Sequence, residues 1–277
     1  MFKNFEARYL PWLVCLTASL FFFYEFIQMQ MFNAISTGLM QEFELTAKEL
    51  GYLSATYLFA DVLFLFPAGL LLDRVSTRKI ILTAMFICVI STALFALSYS
   101  VILVGLCHFL AGLGNAMCFL SCLRLASRWF PATRMAQIIG IIVMVGMLGG
   151  MVAQTPLVFL TAKVGWREAV LWIAVLGIPL ILLMWRYIRD YPADYQLQHE
   201  EQMQQLQSIG LRKGIMLALS NRQNWYGGIY TSFLNLPIML LGALWGNLYL
   251  TQVQHLSVEE ASYVITMIFV QIFSKMI

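Results

Sequence analysis

The sequence predicts an all-α integral membrane protein, and three observations carry the prediction. First, 61% of the 277 residues are hydrophobic and only 11% are charged, with a mean hydropathy of +0.78. Water-facing domains use about 25% charged residues, so this chain lacks the side chains to cover a soluble surface. Second, the apolar residues fall in runs of about 20 or more, the length a helix needs to cross a bilayer; an alternating barrel pattern is absent. Third, the basic residues are sorted by side. With the N-terminus placed inside, Lys3, Arg8, Arg74, Arg78, Lys79, Arg124, Arg128, Arg134, Arg186, Arg189, Arg212, Lys213 and Arg222 fall on the inner side. Lys48, Lys163 and Arg167 fall on the outer side, and Lys275 lies near the inner end of the last span. That bias sets orientation. The expectation is a multi-pass protein of a bacterial inner membrane with a cytoplasmic N-terminus.

Span one covers about 10–40 and opens on Tyr9 and Trp12, aromatics suited to a membrane interface. It is longer than a signal core and no small-residue cleavage site follows, so it is a retained span. Span two covers about 49–72, entered through Thr46 and Glu49, a capping box. Span three covers 79–98. Span four runs over 101–123, continues as a helix to Trp129, and is closed by Phe130-Pro131. Spans five and six cover about 136–160 and 169–188. A stretch rich in Gln and Glu then reads as a cytoplasmic linker, 189–222. Span seven covers 225–250, with Pro237 as a local helix breaker, and span eight starts near Glu259. Every span reads as a helix, because only helices and closed barrels satisfy their backbone in lipid. The division expected is a six-span bundle over 1–188, the linker, and spans seven and eight over 223–277.

An internal repeat supports that division. Leu45-Thr46-Ala47-Lys48-Glu49-Leu50-Gly51-Tyr52 opens span two, and Leu256-Ser257-Val258-Glu259-Glu260-Ala261-Ser262-Tyr263 opens span eight. At the same offset, the counterpart of Gly69 falls just past Ile277. The chain therefore reads as the first half of a two-half protein plus the opening of the second: a fragment, a truncated product, or one part of a split protein.

The organising stretch lies between spans two and three: Gly69-Leu70-Leu71-Leu72-Asp73-Arg74-Val75-Ser76-Thr77-Arg78-Lys79. An acid followed by three bases can tie two helix ends together at the water edge. The spacing resembles the signature turn of the major facilitator superfamily, with Ser76 where that family usually has Gly. Two further stretches resemble the same family. His108-Phe109-Leu110-Ala111-Gly112-Leu113-Gly114 matches in span four, with His108 where the family usually has Arg. The run from Arg128-Trp129-Phe130-Pro131 through Gly146-Met147-Leu148-Gly149-Gly150 to Gly165-Trp166-Arg167 resembles the four-to-five loop, glycine-rich fifth span and five-to-six turn. Pro156 does not directly follow Gly150, so the antiporter form of the fifth-span motif is not matched.

The resemblance implies a major-facilitator-type helical bundle, a six-span N-terminal half followed by spans seven and eight. It also implies transport of a small-molecule substrate by alternating access, in which two bundles rock about a midplane site. In a complete carrier of this kind twelve spans form two halves, so a missing C-terminal half is an implied partner. Gly69, Asp73, Arg74, Arg78 and Lys79 would form an inner-side gating motif. The substrate expected is an organic anion, an amino acid or a short peptide, with protons as the coupling ion. The alternative is a non-transporting receptor or assembly subunit.

The residues themselves offer several candidates. Glu25 lies at mid-depth in span one, where a carboxylate costs about 2.5–3.5 kcal/mol and should face protein or water. Gln28 and Phe32 follow it at helical spacing. Glu25 is either a substrate or proton site, or a carboxyl held by structural hydrogen bonds. Asp61 shares a stripe with Ser54 and Tyr57 and reads either as a proton site or as a hydrogen-bonded packing residue. His108 and Asn115 face one way along span four; a titrating imidazole there suits proton transfer, and packing is the alternative. Tyr230, Asn235 and Trp245 are the polar and aromatic candidates in span seven, with Tyr226 and Asn247 nearby. Arg124 reads as snorkelling to the inner edge. Gly146 and Gly150 form a small-residue face for close helix approach. Cys15, Cys88, Cys107, Cys118 and Cys122 all fall inside apolar spans and read as buried packing residues. No metal-ligand set, cofactor motif or catalytic constellation is present in the sequence, and a net charge of +3 is too mild to point to nucleic acid.

Overall fold

The structure, a computed structural model of the 277-residue chain, describes residues 2–192, 216 and 219–274. The Gln-rich stretch 196–207, Arg212, Lys213 and Lys275 lie outside the described residues. Among the described residues there are helices and turns and no strands.

The first helix, α1 (Phe2–Phe43), is followed by α2 (Ala47–Arg74), α3 (Thr77–Leu97) and α4 (Val101–Trp129). A 3-10 turn, Ala132–Arg134, leads into α5 (Met135–Ala153), which breaks at Gln154 and continues as α6 (Thr155–Val164). Next come α7 (Trp166–Tyr187) and α8 (Arg222–Pro237), then a π-helical segment over Ile238–Trp245, α9 (Gly246–Gln252) and α10 (Val258–Ser274). Six helical stretches are long and apolar enough to cross a membrane, or seven if the bent pair around the π segment is one span. The eighth expected span corresponds to α10, with 17 residues described.

The helix ends show why the chain turns where it does. Thr46 caps α2: its hydroxyl accepts from Glu49 N, and the Glu49 carboxylate accepts from Thr46 N at 2.9 Å. Ser257 and Glu260 repeat this arrangement before α10. The charged turn is only two residues long between α2 and α3, Val75 and Ser76. Ser76 Oγ caps α3 by accepting from Lys79 N, a role glycine could not fill. Gly165 at φ +84° ends α6 and opens α7, a backbone state that suits glycine.

Two breaks depart from the spans as read from sequence. Span five is not one helix. Pro156 near the start of α6 supplies no N–H and its ring excludes the carbonyl four residues back, so the α-helical ladder lapses at Gln154. Span seven breaks after Pro237, where the π segment takes over and the flanking pieces meet at 52°.

The core is built where backbones approach. A Cβ on Gly112 would meet the Tyr57 carbonyl, and one on Gly149 would meet the Phe23 carbonyl, so α2–α4 and α1–α5 cross with almost nothing between them. The close approach in span five is therefore at Gly149. Gly146 and Gly150, the expected pair, instead receive the rings of Phe22 and Phe269. α1 is central: it packs on α4, α5 and α7, and its far half on the π segment and α9.

Candidate functional site

Two polar clusters are built on opposite faces of α1. The first surrounds Glu25, which is wholly buried. Its Oε1 accepts from Cys88 Sγ of α3 at 2.7 Å, and its Oε2 accepts from Tyr57 OH of α2 at 3.1 Å. Gly114 of α4 closes the fourth side; a Cβ there would come within 3.1 Å of Glu25 Oε1. The carboxyl thus faces the interior of the first bundle, enclosed by three neighbouring helices. Gln28, one turn on, is equally buried, and neither of its amide atoms has a protein hydrogen-bond partner.

His108 joins this cluster through Tyr57. Its ring stacks on Phe32 with centroids 4.9 Å apart and lies 5.1 Å from Tyr57 and 5.9 Å from Phe95. The imidazole is buried and its Nδ1 has no hydrogen-bond partner. Asp61 lies one turn beyond Tyr57 and is only partly buried, with Asn115 of α4 close enough to donate to its carboxylate. The structure therefore brings Glu25, Asp61, His108 and Asn115 to the α1–α2–α4 junction, with Gln28 beside them.

The span-seven candidates stand elsewhere. Tyr230 is largely exposed on α8. Asn235 donates to the Thr231 carbonyl of its own helix. Trp245 lies against Gly51 at the start of α2, where a Cβ would come within 2.8 Å of its ring.

The second cluster was not legible as a unit. Asn33 Nδ2 donates to the Gly242 carbonyl at 2.9 Å, and Gln154 Nε2 donates to the same oxygen at 3.1 Å. Asn33 Oδ1 accepts from Asn247 N at 3.1 Å. Gln30 lies against Gly242 as well; a Cβ there would come within 3.0 Å of Gln30 Oε1. All four carboxamide side chains are buried. They gather because the π segment turns its carbonyls toward α1 and because the α5–α6 break delivers Gln154. Gln30 and Asn33 share a helix face at i, i+3, which was the available sequence signal.

At the end of the bundle carrying the charged turn, Asp73 pairs with Arg124 at 2.9 Å, so Arg124 does not simply snorkel. A residue missed in the sequence dominates this end. Asp190, just past α7, accepts from Arg78 N at 3.0 Å and from the Ser76 hydroxyl, and pairs with Arg128 at 3.5 Å. Arg78 reaches the Trp185 carbonyl, and Trp129 Nε1 donates to the Arg189 carbonyl. Gly69 sits on α2 with open space around it, and Arg74 and Lys79 are exposed. At the opposite end Arg167 pairs with Glu42 at 2.6 Å, and Trp166 Nε1 donates to the same carboxylate. Among the described residues, no group of His, Cys, Asp and Glu is arranged to hold a metal ion.

The geometry of these helices now meets its comparisons. The family model described as Major Facilitator Superfamily matches residues 16–277. The chain belongs to the major facilitator superfamily. It is therefore a multi-pass membrane protein of a transporter family. Among curated relatives, a probable sulfoacetate transporter of Cupriavidus necator is 23% identical over 195 residues, 70% of this chain and 45% of that protein. A hexuronate transporter of Bacillus subtilis is 20% identical, covering 56% of this chain and 37% of that one. A probable galactarate/D-glucarate transporter of Pseudomonas putida is 33% identical over 101 residues, 34% of this chain and 22% of that one. The chain thus spans less than half the length of these relatives. Among solved structures, a bacterial homologue of the human lysosomal transporter Spinster, in an inward-facing and unoccupied conformation, superposes with a TM-score of 0.69. That match has 19% identity and covers 91% of this chain and 58% of the other, which supports the helical bundle fold.

Proposed function

We propose that this chain serves an alternating-access carrier of a small polar solute, with its N-terminus and charged turn in the cytoplasm of a bacterial inner membrane. The observation that carries this reading is the pairing of family membership with the second polar cluster. Buried carboxamides bridge the first bundle to the broken seventh span, where two rocking halves would meet. Transporter-named relatives support solute movement, and their printed substrates favour organic acids over amino acids or peptides.

In this reading residues 1–188 form one bundle, 189–222 connect it to 223–277, and further spans of a second half complete the carrier. Asp73, Arg74, Arg78 and Lys79 latch the cytoplasmic helix ends in one state and release them in the other. Glu25 is the group proposed to take up a coupling proton, because its carboxyl is met by a thiol and a phenol and by no base. Proton-driven symport follows as the mode.

The test is solute uptake into proteoliposomes. Asp73→Asn should slow uptake at least severalfold while shifting stability little, because its exposed ion pair contributes about 0.2–1 kcal/mol. Normal uptake by that variant would refute the latch. Binding of a solute without movement would favour a receptor or assembly subunit.

A further inference from the structure

The cluster around Gly242 has a property that its role as a joint does not explain. Gln30 leaves both amide atoms unpaired, Gln154 leaves its Oε1 unpaired, and Asn247 its Oδ1. These side chains are between 0% and 4% exposed. Buried polar groups are normally paired, since leaving one bare forfeits its hydration without return. Four bare groups on three side chains around one carbonyl are more than a structural clasp requires. Replacing the amides by apolar residues of similar shape would make a tighter joint.

The bare groups also have a chemical bias. The amide oxygens outnumber the one free amide nitrogen, so the cluster asks for donors. A hydroxyl supplies a donor and an acceptor together. No Lys, Arg, His, Asp or Glu takes part in the cluster's hydrogen bonds or ion pairs among the described residues. A carboxylate or ammonium placed here would be buried without a counter-charge, the costly case.

We infer that Gln30, Gln154 and Asn247 form a subsite for the hydroxyl groups of an uncharged polyhydroxylated solute, organised by Asn33 on the Gly242 carbonyl. The inference rests on the carrier reading and departs from the charged substrates named for the relatives. Asn33 is a positioning residue, since its amide is already engaged on both sides. Because the two carbonyl bonds hold the π segment against α1, solute binding and the closure of this joint draw on the same side chains.

The test uses the whole chain in detergent and D-glucitol, D-glucarate and sulfoacetate as probes. D-glucitol should raise the melting temperature in a saturable way, and D-glucarate should do so no better despite sharing its hydroxyls. Sulfoacetate, which has no hydroxyl, should not. Gln30→Leu with Gln154→Leu should weaken D-glucitol binding at least tenfold while leaving the unliganded protein as stable or more so. If that pair fails to fold, Gln30→Glu with Gln154→Glu gives the same reading, with the uncharged polyol weakened.

The inference is overturned if D-glucarate binds and D-glucitol does not. It is overturned if the double variant binds D-glucitol as the parent does, or if only the rate of solute movement changes and not binding, which would leave the amides a gate alone. A chain that moves some other solute across vesicles but ignores D-glucitol sinks this inference and spares the carrier reading. A chain that binds and moves nothing sinks both.

Discussion

Glu25 shows how a single carboxyl is kept at bilayer depth. Its two oxygens are met by Cys88 and Tyr57, side chains from two other helices, and no water-facing route is needed to hold it. Tyr57 does double service, since its ring also lies beside His108. Tyr57→Phe removes the phenol donor while keeping the ring stack, so it should destabilise the protein by about 1–2 kcal/mol. A thermal unfolding comparison in detergent checks this. Combining it with Glu25→Gln should cost less than the two separate losses added together, because both act on one hydrogen bond. The sequence placed Glu25 in the middle of span one and put Tyr57 on a stripe with Asp61. It could not show that Cys88 supplies the other donor. A cysteine in an apolar run reads as packing, and the contact spans 63 residues of chain.

At the scale of elements, caps and breakers were legible and long-range closures were not. Thr46 with Glu49 and Ser257 with Glu260 announced two helix starts because a capping box is written within four residues. Pro237 likewise marked the point where span seven leaves the α-helical path. Pro156 was seen, yet span five was read as continuous, since the break falls two residues before it at Gln154. Asp190 was hidden for a different reason. It lies 112 residues from the Arg78 amide it accepts from, and acids past a helix end look like solvent-facing linker. In the fold it serves the N-terminus of α3 as a capping side chain would, beside Ser76. Asp190→Ala should therefore cost about 0.5–2 kcal/mol, the range for losing an N-cap. It should also raise hydrogen exchange in the first turn of α3 more than elsewhere. Uniform exchange across α3 would show that Ser76 suffices alone.

The whole molecule is organised by sidedness. The charged turn, the 129–134 turn and the α7 exit share one end, and Glu42, Arg167 and the caps of α2 and α10 share the other. The fold class was readable because composition leaves no alternative: a chain this apolar has to hide its backbone in helices. The contacts between the first bundle and the π segment were not readable, since four carboxamides in four different runs carry no shared local signal. The orientation proposed above makes a direct prediction. All five native cysteines are buried, so single introduced thiols report cleanly. Lys79→Cys should react with an impermeant maleimide only from the cytoplasmic face, and Lys163→Cys only from the opposite face. The reverse pattern would invert the topology.

The π-helical run at Ile238–Trp245 also bears on how this protein tolerates change in chain length. A π turn holds more residues than an α turn over the same path. Deleting one residue there would let the segment relax to ordinary α-helix. Everything after it would then swing by about 100° about the helix axis. Asn247 would be carried away from Asn33, while a deletion in the exposed start of α8 would leave that meeting intact. Span seven thus behaves as a ratchet tooth cut to a fixed length, and its slack residue is what sets the phase of all that follows.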